Sequence, residues 1–375
     1  MAVVDDIIGA VILVVVFLAG ALILVRSYAM SVIDKDMLLQ QDDIEQELSS
    51  SLDAMLHVVE PGTRRSYGDL LASAAYYRNE IIYSVQGPVN ITRSFQELIS
   101  SVMPNDVYYF EAYPPYKGIE LIFIVDGSDT MLDEMDYLKE NMGDMLREIE
   151  KNSKINATVS VYVLNHINSS WCKNASFPCR YLTPDDIYFN GSYTAFDLLK
   201  HKYGLLPPTH VLDEQEVWKS DWQTAMAMVM LTTDNSDLSI MKILMPFTDG
   251  LPGSTRYLYP CPLFYSTAIY ERDFRLLRRF NFVFDPILSA NRDPVMYCDA
   301  DNVRQMQGLI EASNGQVIIH RDNLKAKISD AISANLNESR IAIGTPMKGK
   351  TYAMTRHLPM PNGGLAVATL QVYSR

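Results

Sequence analysis

The sequence predicts an α/β protein. Its core is a doubly wound, mostly parallel sheet, carried on an N-terminal transmembrane and stalk helix, with a small α+β region near the membrane. Three observations predict this. The run from Ile7 to Val25 carries no charge and, at a helical rise, is long enough to span a bilayer. From Gly118 onward, apolar strand-like runs alternate with helical periods, the pattern of a parallel sheet covered on both faces. Near the end, Asn362-Gly363 separates two strand-like runs and signals a hairpin. The expected division is 1–30 anchor, 31–117 amphipathic stalk helix with a small helical and strand region, 118–338 sheet domain, and 339–375 a hairpin packing on 105–117.

The apolar run is too long for a cleaved signal peptide, and no clear small-x-small site follows it. Beyond it, Met30, Ile33, Met37, Ile44, Leu48, Leu52, Met55 and Val59 keep a largely three-to-four spacing, one face of a continuing helix that Pro61-Gly62 ends. Residues Ser66 to Ser84 and Asn90 to Val102 read as two further helices, "DVYYFEAY" as a strand, and Pro114-Pro115 as a boundary. In the sheet domain, Ile119 to Val125, "NATVSVYVLNH", "IMKILMPFTDG", "FNFVFDPILSA" and "QVIIHR" read as strands. Helices are expected at "MLDEMDYLKENMGDMLREIEKN", "DWQTAMAMVMLTT", "NVRQMQGLIEASNG" and "NLKAKISDAISANL". A polar, cysteine-bearing insertion covers roughly Asn168 to Lys219.

A net charge of -13, with no basic stripe, excludes a nucleic-acid surface. Arg26 and Lys35 follow the apolar span and nothing basic precedes it, which by itself places the body in the cytoplasm. Two signals oppose that. Asn-x-Ser/Thr triplets, acceptors for glycosylation, begin at Asn90, Asn156, Asn168, Asn174, Asn190 and Asn337. The four cysteines fall into two local groups, Cys172 with Cys179 and Cys261 with Cys298, and fit no zinc pattern. Two disulfides are the simplest reading, although four cysteines allow three connectivities. The body is therefore expected outside a single-pass anchor. Enzyme signatures are absent, and the six histidines are scattered. "GTPMKGKT", Gly344 to Thr351, matches a phosphate-loop expression, but no helix follows to offer its amides to phosphate, so no nucleotide site is expected.

Chemistry is expected at the strand ends. In an open parallel sheet, ligands bind beyond the carboxyl ends of the strands. Asp126, Ser128 and Thr130 follow one apolar run and Asp249 follows another. Their hard oxygens suit Mg²⁺, Mn²⁺ or Ca²⁺. A competing reading makes the same residues caps for the following helix.

Residues from about Gly118 to Leu336 resemble a von Willebrand factor A domain. That family's metal-ion-dependent adhesion site has Asp-x-Ser-x-Ser, a distant Thr and a distant Asp. Here Asp126, Ser128 and Thr130 match the first element, Thr224 the second, and Asp249 in "TDG" the third. The resemblance implies a divalent ion, Mg²⁺ in the first instance, that engages a protein or glycan ligand. The N-terminus resembles type IV pilins and pilin-like proteins: with Met1 removed, Asp6 becomes the fifth residue before a long apolar helix, a place where an acidic residue helps assembly. No basic leader precedes Ala2, so leader-peptidase processing is not expected. The overall plan is also similar to surface proteins of tight-adherence systems. The resulting alternatives are a filament or tight-adherence subunit with a degenerate metal site, and an intracellular A domain that partners an AAA+ ATPase.

Overall fold

The computed structural model describes residues 43–104, 106–126, 131–164, 171–182, 222–248, 263–289, 299–320, 323–349 and 351–373. The expected anchor, residues 1–30, lies outside them. Among the described residues no helix is long and apolar enough to cross a membrane.

Helix α1 runs through residues 43–57. It is followed by β1 (Val59–Glu60), β2 (Arg65–Ser66), α2 (Tyr67–Tyr77), β3 (Ile81–Ser84), β4 (Gly87–Asn90), α3 (Ile91–Val102) and β5 (Val107–Tyr113). Next come β6 (Gly118–Asp126), α4 (Leu132–Ser153), β7 (Asn156–Leu164), a 3₁₀ turn (Trp171–Asn174), β8 (Cys179–Leu182), α5 (Trp222–Thr232) and β9 (Ile240–Thr248). They lead to α6 (Leu263–Phe280), β10 (Val283–Phe284), β11 (Ile287–Ser289), α7 (Asp299–Ser313), β12 (Ile318–His320) and α8 (Leu324–Glu338). Three strands close the described chain: β13 (Ile341–Gly344), β14 (Thr351–Pro359) and β15 (Leu365–Tyr373).

The larger sheet has seven strands in the order β12-β11-β9-β6-β7-β8, with β10 also on β9, and every pairing is parallel. Side chains alternate along β6. Leu121, Phe123 and Val125 face a core with Met135, Leu138 and Met142 of α4 and Ile328 and Ile332 of α8. Ile122 and Ile124 face the opposite core, with Met226 and Val229 of α5, Leu277 of α6 and Leu309 of α7. Both faces are therefore dry, which is why these strands are nearly continuous in apolar residues. Each fully buried Leu, Ile or Phe contributes roughly 1.5–3 kcal/mol.

Two details differ from the sequence reading. The run "FNFVFDPILSA" reads as one strand but splits into β10 and β11 around Asp285-Pro286. The register on β9 resumes unshifted: Val283 and Phe284 pair with Ile243 and Leu244, then Ile287 and Leu288 with Phe247 and Thr248. The gap lies beside Pro246 of β9, and neither proline has an N–H to give the ladder. The insertion also contributes structure, since β8 adds an edge strand parallel to β7.

The smaller sheet is antiparallel, in the order β13-β5-β15-β14. One face packs on α1, α2 and α3: Leu52, Met55, Leu71, Phe95 and Ile99 share a core with Phe110, Ala112, Ile343, Ala368 and Leu370. Helix α2 starts where the Ser66 hydroxyl accepts from Asp69 N–H at 3.1 Å. It ends at Tyr77 and not at Ser84, because Arg78 turns left-handed at φ 51° and its N–H returns to the Ala74 carbonyl. The β-branched and aromatic stretch Ile81–Ser84 then pairs with β4 across a turn whose Gly87 sits at φ 120°.

The two sheets are joined by insertion. Strand β5 leads out of the small sheet and β13 leads back in, and the two are neighbours: Ala112 pairs with Ile341 and Phe110 with Ile343. Between them the chain builds the whole parallel sheet. Hairpin β14–β15 pairs with β5 from the other side, with Leu370 opposite Phe110. Helix α1 lies along β14, with Asp53 bonded to Arg356 and the Leu56 carbonyl beside Gly68, which also borders Leu358. It therefore climbs towards the parallel sheet, and residue 43 lies at the far end.

Candidate functional site

The strand order defines the site before any side chain does. Numbered along the chain, β6, β7, β8, β9, β11 and β12 lie in the doubly wound order 3-2-1-4-5-6, so direction reverses between β6 and β9. That pair forms the switch point at which ligands bind in such sheets. Val125 pairs with Phe247, so the next register position sets Asp126, the last residue of β6, beside Thr248, the last residue of β9. Asp249 follows Thr248 directly in sequence.

Thr224 reaches the same edge from a third element. The carboxyl end of α5 lies at the start of β9, where Lys242 Nζ donates to the Asn235 side-chain oxygen at 3.0 Å and to the Asp234 carbonyl. Asn235 in turn donates to the Met230 carbonyl at 3.0 Å. Helix α5 therefore runs against the strands, and its first turn, which contains Thr224, lies at the carboxyl edge.

Beneath this edge the floor is apolar. Val125, Met131, Leu164 and Phe247 are all fully buried. Charge at the rim of such a floor is poorly screened, which strengthens any attraction between carboxylates and a cation. The capping alternative does not fall at the cap position: α4 begins after Met131, whose side chain makes no capping bond.

Ser128, Thr130 and Asp249 lie outside the described residues, as do the side chains of Asp126 and Thr224. Among the described residues no cluster of His, Cys, Asp and Glu could hold a metal. The fit to Mg²⁺ therefore stands on donor chemistry and backbone placement. Asp6, Asn168, Asn190, Cys261 and Cys298 also lie outside the described residues. Cys172 and Cys179 are disulfide-bonded, with Cα atoms 5.3 Å apart. Asn90, Asn156 and Asn337 are exposed, and Asn174 closes the 3₁₀ turn.

Sequence reasoning missed a second polar cluster, at the opposite edge. Arg78, only 5% exposed, reaches from α2 into the parallel-sheet unit. Its guanidinium donates to the Ser313 carbonyl from Nε at 3.2 Å and from a terminal nitrogen at 2.9 Å. Tyr116 lies nearby, and burial raises its hydroxyl against the pull of Arg78. Asp285 is fully buried; it accepts from Gln316 N–H at 2.8 Å and from the Asn335 amide at 2.6 Å. Burial pushes its carboxyl up to about 6, against the pull of those two bonds and of Arg78. Burial likewise raises Glu338, which Arg78 opposes. Nothing in the local pattern "YYRNE" distinguishes Arg78 from a surface arginine.

No protein-family model and no curated protein matches this chain. Solved structures similar to it include the PilB minor pilin from Streptococcus sanguinis, with TM-score 0.33, 11% identity, and coverage of 60% of this chain and 62% of that one. Another is the pilus adhesin SpaC from Lactobacillus rhamnosus GG in its open conformation, with TM-score 0.35, 10% identity, and coverage of 72% and 41%. The match spans less than two thirds of the length of either protein. Likeness at that level identifies neither a family nor an activity.

Proposed function

We propose that this chain is a non-enzymatic binding module displayed outside the cell on a single N-terminal membrane anchor, with the A-domain type of fold. In this reading it engages a protein or glycan ligand through a divalent cation, Mg²⁺ or else Mn²⁺ or Ca²⁺. The side chains of Asp126, Ser128, Thr130, Thr224 and Asp249 would hold the ion. A bound ion would supply a Lewis-acidic position for a ligand oxygen, a carboxylate above all. The observation that carries the reading is the switch point itself, where Asp126 ends β6 one register position beyond the Val125–Phe247 pair, beside Thr248, the residue that precedes Asp249.

The insertion architecture gives the site its direction. The small unit sits at the amino edge of the parallel sheet, where Lys117 N–H donates to the Ser239 carbonyl at 2.8 Å and Gly364 lies close to Leu238. The carboxyl edge is opposite, and residue 43 is beyond the small unit. An anchor preceding α1 would hold the metal edge outward.

A second reading, a pilin-like structural subunit, has α1 in its favour, since that helix follows the predicted apolar run in sequence and packs Leu48, Leu52, Met55 and Leu56 into the core of the small sheet. Manganese resonance separates the two. Full-length protein in detergent should quench the signal of free Mn²⁺, and excess Mg²⁺ should restore it. An unchanged signal would contradict the cation reading and leave the structural one.

A further inference from the structure

We infer that the junction between the two units is a collar of N-linked glycans, attached at Asn90, Asn156 and Asn337. This rests on the reading that the body lies outside the cell. All three asparagines are exposed, and all three belong to Asn-x-Ser/Thr triplets. The fold also brings them to one level. Asn156 begins β7 and pairs with Gly118, the first residue of β6, at the amino edge of the parallel sheet. Asn337 lies in the last turn of α8, where its carbonyl accepts from Arg340 N–H at 3.0 Å, as the chain crosses back into the small sheet. Asn90 ends the ribbon that begins just after Arg78, the residue that reaches across the junction, and pairs with Ile81.

A second observation concerns Thr92, which completes the triplet at Asn90. Its hydroxyl is buried and has no hydrogen-bond partner among the described residues. A buried hydroxyl without a partner costs stability, and valine has nearly the same shape without that cost. The fold as described gives threonine no reason to be there. An acceptor triplet does, because transfer to the asparagine requires Ser or Thr at that place. Since the hydroxyl is buried in the folded chain, transfer at Asn90 must come before α3 packs. Ser339, in the triplet at Asn337, is 2% exposed and carries the same implication.

The Asn90 side chain can be modified without losing its structural role. Its Oδ1 accepts from Arg93 N–H at 2.9 Å and caps α3, while the glycan would attach at Nδ2. In the transfer, a bond forms between Nδ2 and the anomeric carbon of a polyprenyl-phosphate-linked oligosaccharide. The bond from that carbon to the phosphate oxygen breaks, the lipid phosphate leaves with the electron pair, and the amide gives up one proton. The resulting collar would keep neighbouring chains apart at the junction and confine contacts to the carboxyl edge.

The test is glycopeptide mapping of the full chain purified from its own membrane, beside protease accessibility on intact cells. Glycan mass is expected at Asn90, Asn156 and Asn337. Thr92→Val should abolish it at Asn90 alone, with Tm unchanged or raised. Folded full-length protein made without glycan and then offered to the transferase should remain unmodified at Asn90. Bare asparagines on a protease-accessible body would overturn this inference while leaving the surface reading standing; a protease-shielded body would overturn both. A bare Asn90 beside glycosylated Asn156 and Asn337 would remove Asn90 from the collar.

Discussion

The Arg78 guanidinium donates to the Ser313 carbonyl at 2.9 Å, so the carboxyl end of a helix in one unit is tied to the carboxyl end of a helix in the other. An orphan helix-end carbonyl thereby gains a charged donor, and a buried cation gains partners. Asp285 and Glu338 add opposite charge nearby. Arg78→Met should cost about 3 kcal/mol, because it takes the charged donor from the Ser313 carbonyl and leaves the buried Asp285 without its nearby cation. Denaturant titration measures the loss. Faster proteolysis at the Pro114–Lys117 connection is expected alongside it, and an unaltered cleavage rate would deny Arg78 its part in holding the units together.

Asp285 makes stability depend on pH in the direction opposite to an ordinary ion pair. Its folded value, about 6, is raised above the ordinary 3.8. The folded state therefore binds the proton more tightly, and this contribution is fully present below the ordinary value and lost as pH rises through about 6. Asp285→Asn keeps the size and removes the charge, and the Asn335 amide can turn to offer its oxygen. The variant is expected to gain on the order of 1–3 kcal/mol at pH 7.5 and little at pH 4. Equal melting shifts at both pH values would contradict this.

The pair that fixes α1 has the usual sign. Arg356 bonds both carboxylate oxygens of Asp53, at 2.6 and 2.8 Å, and also the Ser49 hydroxyl. The Arg356 hydrogen bond holds Asp53 below the usual carboxylate range, so its contribution is present at neutral pH and lost as pH falls through the folded value. Both side chains are partly in water, at 30% and 47% exposure, which limits the effect to roughly 1 kcal/mol. Arg356→Met should speed amide exchange within α1, which holds Asp53 and Ser49, more than within α3.

Reduction of the Cys172–Cys179 bond should loosen β8 without unfolding the sheet. In the loop-closure account, so short a loop contributes about 2–3 kcal/mol. Non-reducing peptide mapping should recover the two cysteines in one linked pair. A free thiol at either position would count against an oxidising surroundings for the body.

Much of the architecture is readable from the sequence, for a physical reason. Leu121 to Val125 and Ile243 to Phe247 are buried on both faces, so their composition alone announces a central parallel strand. Asn362-Gly363 announces the hairpin, because the turn places Gly363 at φ 88°. Other features depend on partners distant in sequence. The buried place of the Arg78 side chain is fixed by a carbonyl on α7, and the break at Asp285-Pro286 by a second proline on β9. Strand β8 is short and partly polar, so only its neighbour β7 makes it a strand. In the site, Asp126 and Asp249 can be read as strand ends, but that the two strands are adjacent is a property of topology.

The account turns on the carboxyl edge, and calorimetric titration of Mg²⁺ into the full-length protein in detergent tests it most directly. The wild-type chain should bind one ion per chain with measurable heat. Asp126→Ala and Asp249→Ala should each weaken binding at least tenfold, while circular dichroism and Tm in the absence of metal stay as in wild type. Negligible heat for the wild-type chain, or binding of equal strength in all three proteins, would contradict a metal site at the junction of β6 and β9.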